Sequence, residues 1–257
     1  MKAFEIAKAI EELAPLSLQE DWDNSGFSVG DPTAEVRAVI IALDVTPKLI
    51  EEAKSLGANM IVSHHPMIFT GVKKLVSDSF TNKTIISAIK NDMIIYSCHT
   101  NMDKVRQGVT GVMAEKLGLQ NVQILDKGLD DSGLGMIGEL KRPLYFDEFL
   151  PIVKKSFSLK ALRCSPPIDK TISKVALCGG SGHSLIDMAY KAGAEAYITA
   201  DITYHYFFTY ENFMIMDIGH FESEVGIVQK LYTILNEKFP TFAFYITKQH
   251  FNPVYYY

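Results

Sequence analysis

The chain has 257 residues, 47% of them hydrophobic and 21% charged, with a net charge of −5. These values suit a globular protein with a sizeable core, and an acidic balance without a basic block disfavours sequence-independent binding to nucleic acid. Cys98, Cys164 and Cys178 form no CxxC pair, which excludes a disulfide framework or thiolate zinc site and points to a reducing cytoplasm.

The opening MKAFEIAKAIEELAP carries acidic residues and lacks the apolar core of a signal peptide. Within it, Ile6, Ala9, Ile10 and Leu13 fall at i, i+3, i+4 and i+7, which predicts a helix over 4–13. The turn-rich DWDNSGFSVGD follows and holds the only tryptophan. Residues 36–43, VRAVIIAL, read as a buried strand. Thr46 and Pro47 then open a helix that Gly57 stops. NMIVS at 59–63 is a second strand, residues 80–91 a helix and MIIYSC at 93–98 a third strand. A helix over 109–118 ends at Gly118, and DKGLDDSGLG at 126–135 is the expected boundary between lobes. No apolar run reaches about 18 residues, so no membrane span is expected.

The second half repeats the first. LIEEAKSLGANMIVS at 49–63 aligns without gaps to LIDMAYKAGAEAYIT at 185–199, an offset of 136, and VIIAL at 39–43 to VALCG at 175–179. IIYSCHTNMD at 94–103 resembles MIMDIGHFESE at 214–224, each an apolar strand followed by His-x-x-x-carboxylate. Strands alternating with helices, twice over, predict an α/β protein of two intertwined, internally duplicated lobes with mixed, mostly parallel sheets. The expected lobes are 1–125, completed by the C-terminal segment 235–257, and 126–234.

Open α/β sheets place their sites at the carboxyl ends of the strands. Three such ends carry ligand-type side chains: His64 and His65, then His99 and Asp103, then His220 and Glu224. Imidazole with carboxylate and no thiolate suits zinc, manganese or iron(II). Five or more candidates suit two divalent ions better than one. Taken singly, the His-His pair could be a polar loop, and His-x-x-x-Glu a surface helix face.

Other segments admit two readings. GGSGHS at 179–184 is either an anion cradle or a glycine-rich turn. Asp201 aligns with His65 in the repeat, and it and His205 either line the cleft or pack structurally. Lys73 and Lys74 either meet phosphates or form a solvated face. FNPVYYY at the C-terminus reads as packing or an interface, and His250 beside it has no nameable partner.

WDNSG at 22–26, SHHP at 63–66, HTNMD at 99–103, GGSG at 179–182 and GHFESE at 219–224 resemble the NGG-one-interacting-factor-three-like family, also known as GTP cyclohydrolase I type 2 homologues. The motifs fall in family order along nearly the whole chain, in a short form without room for an inserted domain. The resemblance implies a dinuclear metal site between two intertwined lobes, with ligands on His64, His65, Asp103, His220 and Glu224. His99 would then lie behind the ligands, orienting Asp103 or a metal-bound water. It further implies a ring-shaped homohexamer and a small-molecule, nucleotide-like substrate. The expected chemistry is hydrolysis, since a divalent ion lowers the pKa of bound water to about 7, with opening of a guanine imidazole ring as the leading form. A metal-dependent phosphoesterase and a non-enzymatic metal-binding interaction protein are the alternatives.

Overall fold

A computed structural model describes residues 1–128, 130–249 and 251–257. His250 therefore lies outside the described residues. The chain divides into two compact units, Met1–Met102 with Ile227–Pro253, and Asp103–Gly226 with Val254–Tyr257.

The first unit contains α1 (Ala3–Glu11), β1 (Gly26–Val29), β2 (Val39–Ala42), α2 (Pro47–Ser55), β3 (Met60–Ser63), α3 (Phe80–Lys90) and β4 (Ile94–Ser97). A short helix, α4 (Thr100–Asp103), leads out of it. Helix α1 buries Ile6, Ala9 and Ile10 as the spacing predicts, while Leu13 lies past its end. Helix α2 begins as read from the sequence: the Leu49 amide donates to Thr46 Oγ1 at 3.1 Å, and Pro47 occupies the first turn, where its missing N–H costs nothing. Strands β2, β3 and β4 are buried along their whole length, the pattern of a sheet covered on both faces. One face packs Ile40, Ile61 and Ile95 against Leu49, Ile50, Ala53 and Ala88 of the two crossover helices.

The second unit contains α5 (Val109–Leu117), β5 (Gln120–Lys127), β6 (Gly133–Leu144), α6 (Phe146–Ser156), β7 (Arg163–Cys164), β8 (Ile172–Ser181), α7 (Ile186–Lys191), β9 (Ala196–Ala200), β10 (Met214–Asp217) and α8 (His220–Glu224). The chain then returns to the first unit through α9 (Gly226–Lys238) and β11 (Phe244–Ile246). Gly118, in the left-handed region at φ 71°, ends α5. The turn-rich 126–135 segment joins β5 to β6 as an antiparallel pair.

The first sheet has the order β1-β4-β3-β2-β11, with β1 antiparallel and the rest parallel. The second has the order β5-β6-β8-β9-β10-β7, with β8, β9 and β10 parallel. The mixed α/β class expected from the sequence is what forms.

The duplication is visible in the pairing register. Val39 pairs with Met60, and Val175 with Ala196, both at the 136-residue offset. Gly57 and Gly193 match at the same offset, and both adopt the left-handed region, φ 71° and 81°, that glycine enters at little cost. The copies then diverge. Met60 pairs with Ile94 but Ala196 with Met214, so the offset falls to 120 (94 to 214). Helix α3 has no helical counterpart among the described residues; a 3₁₀ turn at Tyr204–Phe207 stands in its place. The element order of the two halves is thus not identical. At the new offset Ser97 matches Asp217, His99 matches Gly219 and Thr100 matches His220. The two His-x-x-x-carboxylate motifs are out of step by one residue.

Candidate metal centre

In the first unit the donors gather where parallel strands end. His64 and His65 follow β3, and their amides donate to Ala42 O at 3.3 Å and Leu43 O at 3.0 Å, extending the β2 ladder by two residues. His99 follows β4, positioned by the Cys98 amide donating to Ser63 O at 3.0 Å. The three imidazoles form one cluster. Ring centroids are 5.0 Å apart for His64 and His65, 5.3 Å for His64 and His99, and 5.5 Å for His65 and His99. One ligand nitrogen from each lies within 4.8 Å of the others.

Each ring is fixed from behind through Nδ1. His64 Nδ1 lies 2.8 Å from the Cys98 carbonyl, His65 Nδ1 2.8 Å from Asp44 Oδ1, and His99 Nδ1 2.8 Å from Asp23 Oδ1. A carbonyl can only accept, so His64 must donate from Nδ1, which places the neutral ring's lone pair on Nε2. The carboxylates select the same tautomer for His65 and His99. His64 is fully buried. A buried imidazole held as an Nε2 donor is the form a metal requires.

Asp23 lies in the WDNSG motif, and its side chain is shielded from solvent. Besides His99 it accepts from the Thr100 amide at 3.0 Å and the Thr100 hydroxyl at 2.5 Å, pinning the start of α4. Burial works against its ionisation, but the hydrogen bonds from His99 and Thr100 outweigh that and hold the carboxyl well below the usual carboxylate range. Ser63 Oγ donates to the His65 carbonyl at 2.9 Å, fixing the backbone of the histidine pair.

In the second unit, Asp201 follows β9 and His220 opens α8 after β10. His220 Nδ1 lies 2.7 Å from Asp201 Oδ2, and its Nε2 lies 3.0 Å from Glu224 Oε2, one helical turn on. Imidazole and carboxylate converge on one point. Glu224 is buried. Asp201 sits at φ 56°, a left-handed conformation that aspartate tolerates better than most residues. Burial pushes the Cys178 thiol up to about 12, and the charges of Asp103 and Glu224 act in the same direction.

The GGSG turn supports this helix from below. A Cβ on Gly180 would fall well inside the van der Waals contact distance of Glu224 Oε1 and 3.3 Å from His220 Cε1. The turn's amides are engaged internally: Gly180 N–H donates to Ser223 Oγ at 3.0 Å and Gly182 N–H to Thr199 Oγ1 at 3.0 Å. The Gly180 and Gly182 amides are thereby taken up within the turn and its neighbours. Lys73 and Lys74 lie on a run of exposed residues. His205 is exposed and packs by its ring against Tyr204 and Phe208.

The donor set of imidazoles and carboxylates fits zinc, manganese or iron(II). Within the first unit the structure brings His64, His65 and His99 together; within the second it brings His220 and Glu224 together, with Asp103 acting on the same thiol as Glu224. The sequence reading omitted Asp23 and Asp44 as orienting groups. Asp44 closes a predicted strand, so its position at a carboxyl end was a usable signal.

A family model described as Duf34/NIF3 (NGG1p interacting factor 3) matches residues 1–253. The chain is 36% identical over 258 residues to a Clostridium perfringens protein named GTP cyclohydrolase 1 type 2 homolog, covering 98% of each. It is 32% identical to a protein of the same name from Methanocaldococcus jannaschii, covering 92% of this chain and 95% of that one. Among solved structures, Staphylococcus aureus hypothetical protein SA1388 superposes with a TM-score of 0.92 at 25% identity, covering 100% of this chain and 99% of that one. Reduced HcgD from Methanocaldococcus jannaschii superposes with a TM-score of 0.81 at 30% identity, covering 96% and 98%.

Proposed function

Because this chain belongs to the Duf34/NIF3 (NGG1p interacting factor 3) family, we propose that it is a hydrolase that uses two divalent metal ions on a nucleotide-like substrate. The observation that carries this reading is the common anchoring of four histidines. His64, His65, His99 and His220 each have Nδ1 against an oxygen acceptor, three of them a carboxylate. Partners of that kind fix tautomer and ring orientation, and losing one costs about 10–100-fold in metal affinity or activity. A purely structural cluster of histidines would not need His64, His65 and His99 set in the same tautomer, nor a carboxylate at each nitrogen of His220.

His64, His65, Asp103, His220 and Glu224 would hold the ions, with zinc, manganese or iron(II) as the matching metals. When bound, such ions supply Lewis acidity and a source of hydroxide near neutral pH. His99, held by Asp23 through Nδ1, would lie behind the ligands and orient Asp103 or the attacking water through Nε2. The relatives named GTP cyclohydrolase 1 type 2 homolog support the nucleotide assignment, and opening of a guanine imidazole ring is its leading form. A homohexamer in the cytoplasm is part of the same proposal; among the described residues no helix is long and apolar enough to cross a membrane.

The test is turnover by chain purified without chelator and reloaded in turn with zinc, manganese and iron(II). GTP and a simple phosphodiester are the two substrates. Formate or a ring-opened formylated nucleotide supports the cyclohydrolase form. Phosphoester cleavage alone redirects the proposal to a phosphoesterase. Bound ions with no turnover of either substrate would leave a non-enzymatic metal-binding protein.

A further inference from the structure

The contact between Asp201 and His220 is made by two loops that leave different strands, and one buried carboxylate ties those loops together. Asp217, the last residue of β10, is 5% exposed. Its Oδ2 accepts from the Ile202 amide at 3.0 Å, and its Oδ1 from the Gly219 amide at 3.1 Å. Ile202 is the neighbour of Asp201 and Gly219 the neighbour of His220. Arg163, on the edge strand β7 and paired in register with Asp217, donates to the same Oδ2 and to the Ile202 carbonyl at 3.0 Å. The Ile202 backbone is therefore gripped on both sides of its Cα, on its N–H by Asp217 and on its C=O by Arg163. The guanidinium also lies over the Phe207 ring, 5.5 Å from its centroid.

Both backbone segments so held are conformationally unusual. Asp201 has φ 56° and Gly219 φ 92°. Gly219 enters positive φ at little cost because it lacks a Cβ, whereas a non-glycine residue such as Asp201 persists there where its surroundings over-determine it. The matching position of the first sheet shows a different solution. There Ser97, the counterpart of Asp217, shares a 2.9 Å hydrogen bond with Ser63. The strand-end position itself carries a hydroxyl in place of a carboxylate, and the Ser63 hydroxyl holds the backbone of the histidine pair.

We propose that Asp217, charge-compensated by Arg163, is a positioning residue that sets the Asp201–His220 contact and thereby the aim of His220 Nε2 at the point shared with Glu224. A carboxylate stripped of water needs a compensating cation, so Arg163 is part of the device although its side chain is largely exposed. The proposal rests on reading His220 as a metal ligand, but its first measurement needs no metal.

The experiment compares full-length wild type with Asp217→Asn, Arg163→Met and Arg163→Lys. Metal-free crystal structures report the Asp201 Oδ2 to His220 Nδ1 distance, 2.7 Å in the wild type. Chelator competition reports zinc affinity, and thermal melting reports the fold. The expected result is that Asp217→Asn and Arg163→Met break the Asp201–His220 hydrogen bond, leave His65–Asp44 and His99–Asp23 intact, and weaken the tightest affected zinc step about tenfold, the low end of the range for groups behind a ligand. Arg163→Lys should restore most of that affinity. If Asp217→Asn does not fold, Arg163→Met at the exposed edge carries the test. An unbroken 2.7 Å contact in the variants would overturn the proposal, as would loss of all three His–Asp contacts together. A wild type that binds no zinc would refute the metal reading and still leave the distance measurement decisive for the positioning role.

Discussion

Asp23 Oδ1 lies 2.8 Å from His99 Nδ1, although 76 residues separate the two in sequence. The WDNSG segment thus reaches across its unit to set the tautomer of a histidine at the end of β4. This pair also predicts an acid response. A carboxyl held below its ordinary value near 3.8 contributes stability that is fully present above that pH and is lost as pH falls through the folded value. Denaturant midpoints of chelator-treated protein should fall steadily below about pH 4. Asp23→Asn should flatten that limb while lowering stability at pH 7. Parallel acid limbs in the two proteins would show that Asp23 is not the group responsible.

Metal content separates ligands from orienting groups. Wild-type protein purified without chelator is expected to carry about two divalent ions per chain, measured by elemental analysis. Glu224→Gln should deplete both, because five ligands give each of two ions three donors only if a carboxylate is shared. His64→Ala and His65→Ala should each weaken mainly one. His99→Gln should keep near-normal content and lower turnover by about 10–100-fold. A Glu224→Gln variant with two ions beside a His99→Gln variant with one would reverse the assignment.

Gly180→Ala tests the glycine turn under α8. The new methyl would meet Glu224 Oε1, and the residue would have to hold φ 59°. The backbone term alone is about 1 kcal/mol or more. We expect a lower melting temperature together with weakened metal binding, because the group displaced is a carboxylate of the site. Gly57→Ala provides the control: its Cβ would meet nothing within 4 Å, so only the conformational cost should appear.

The assembly state is directly measurable. Light scattering of the 28.7 kDa chain at micromolar concentration should give a mass about six times larger. Val254, Tyr255 and Tyr257 are exposed on the single chain, and apolar and aromatic surface of this kind is a natural candidate for cover by another copy. A monomer would refute the hexamer.

Much of the first unit was legible because its signals are local. Thr46-Pro47 and Gly57 bracket α2 by capping chemistry alone, and the three strands are apolar runs of a length that suits burial on both faces. The ligand-type residues stood out because histidine is scarce, 7 in all, and because they follow strands. The orienting carboxylates were harder. Asp23 sits in a segment whose composition says only turn, and its partnership with His99 is a tertiary fact. Asp217 reads as a polar residue ending a strand; nothing local announces that two amides and a guanidinium meet on it. The missing counterpart of α3 was concealed because sequence similarity resumes after the gap, with the shift in offset falling where the chain leaves the sheet.

The one-residue slip between His99 and His220 limits how far the two halves can be interchanged. Grafting the HTNMD loop of the first half onto β10 would set its imidazole where Gly219 now stands. Along extended chain one residue is about 3.3 Å, and successive side chains point to opposite sides. The transplanted ring would miss Asp201 and lose the nitrogen–carboxylate pair that His220 makes with Glu224. A protein built from two identical copies of either half would retain the sheets and forfeit part of the donor set. The asymmetry between the repeats is therefore a working component of the molecule, and a symmetric redesign would have to restore it deliberately.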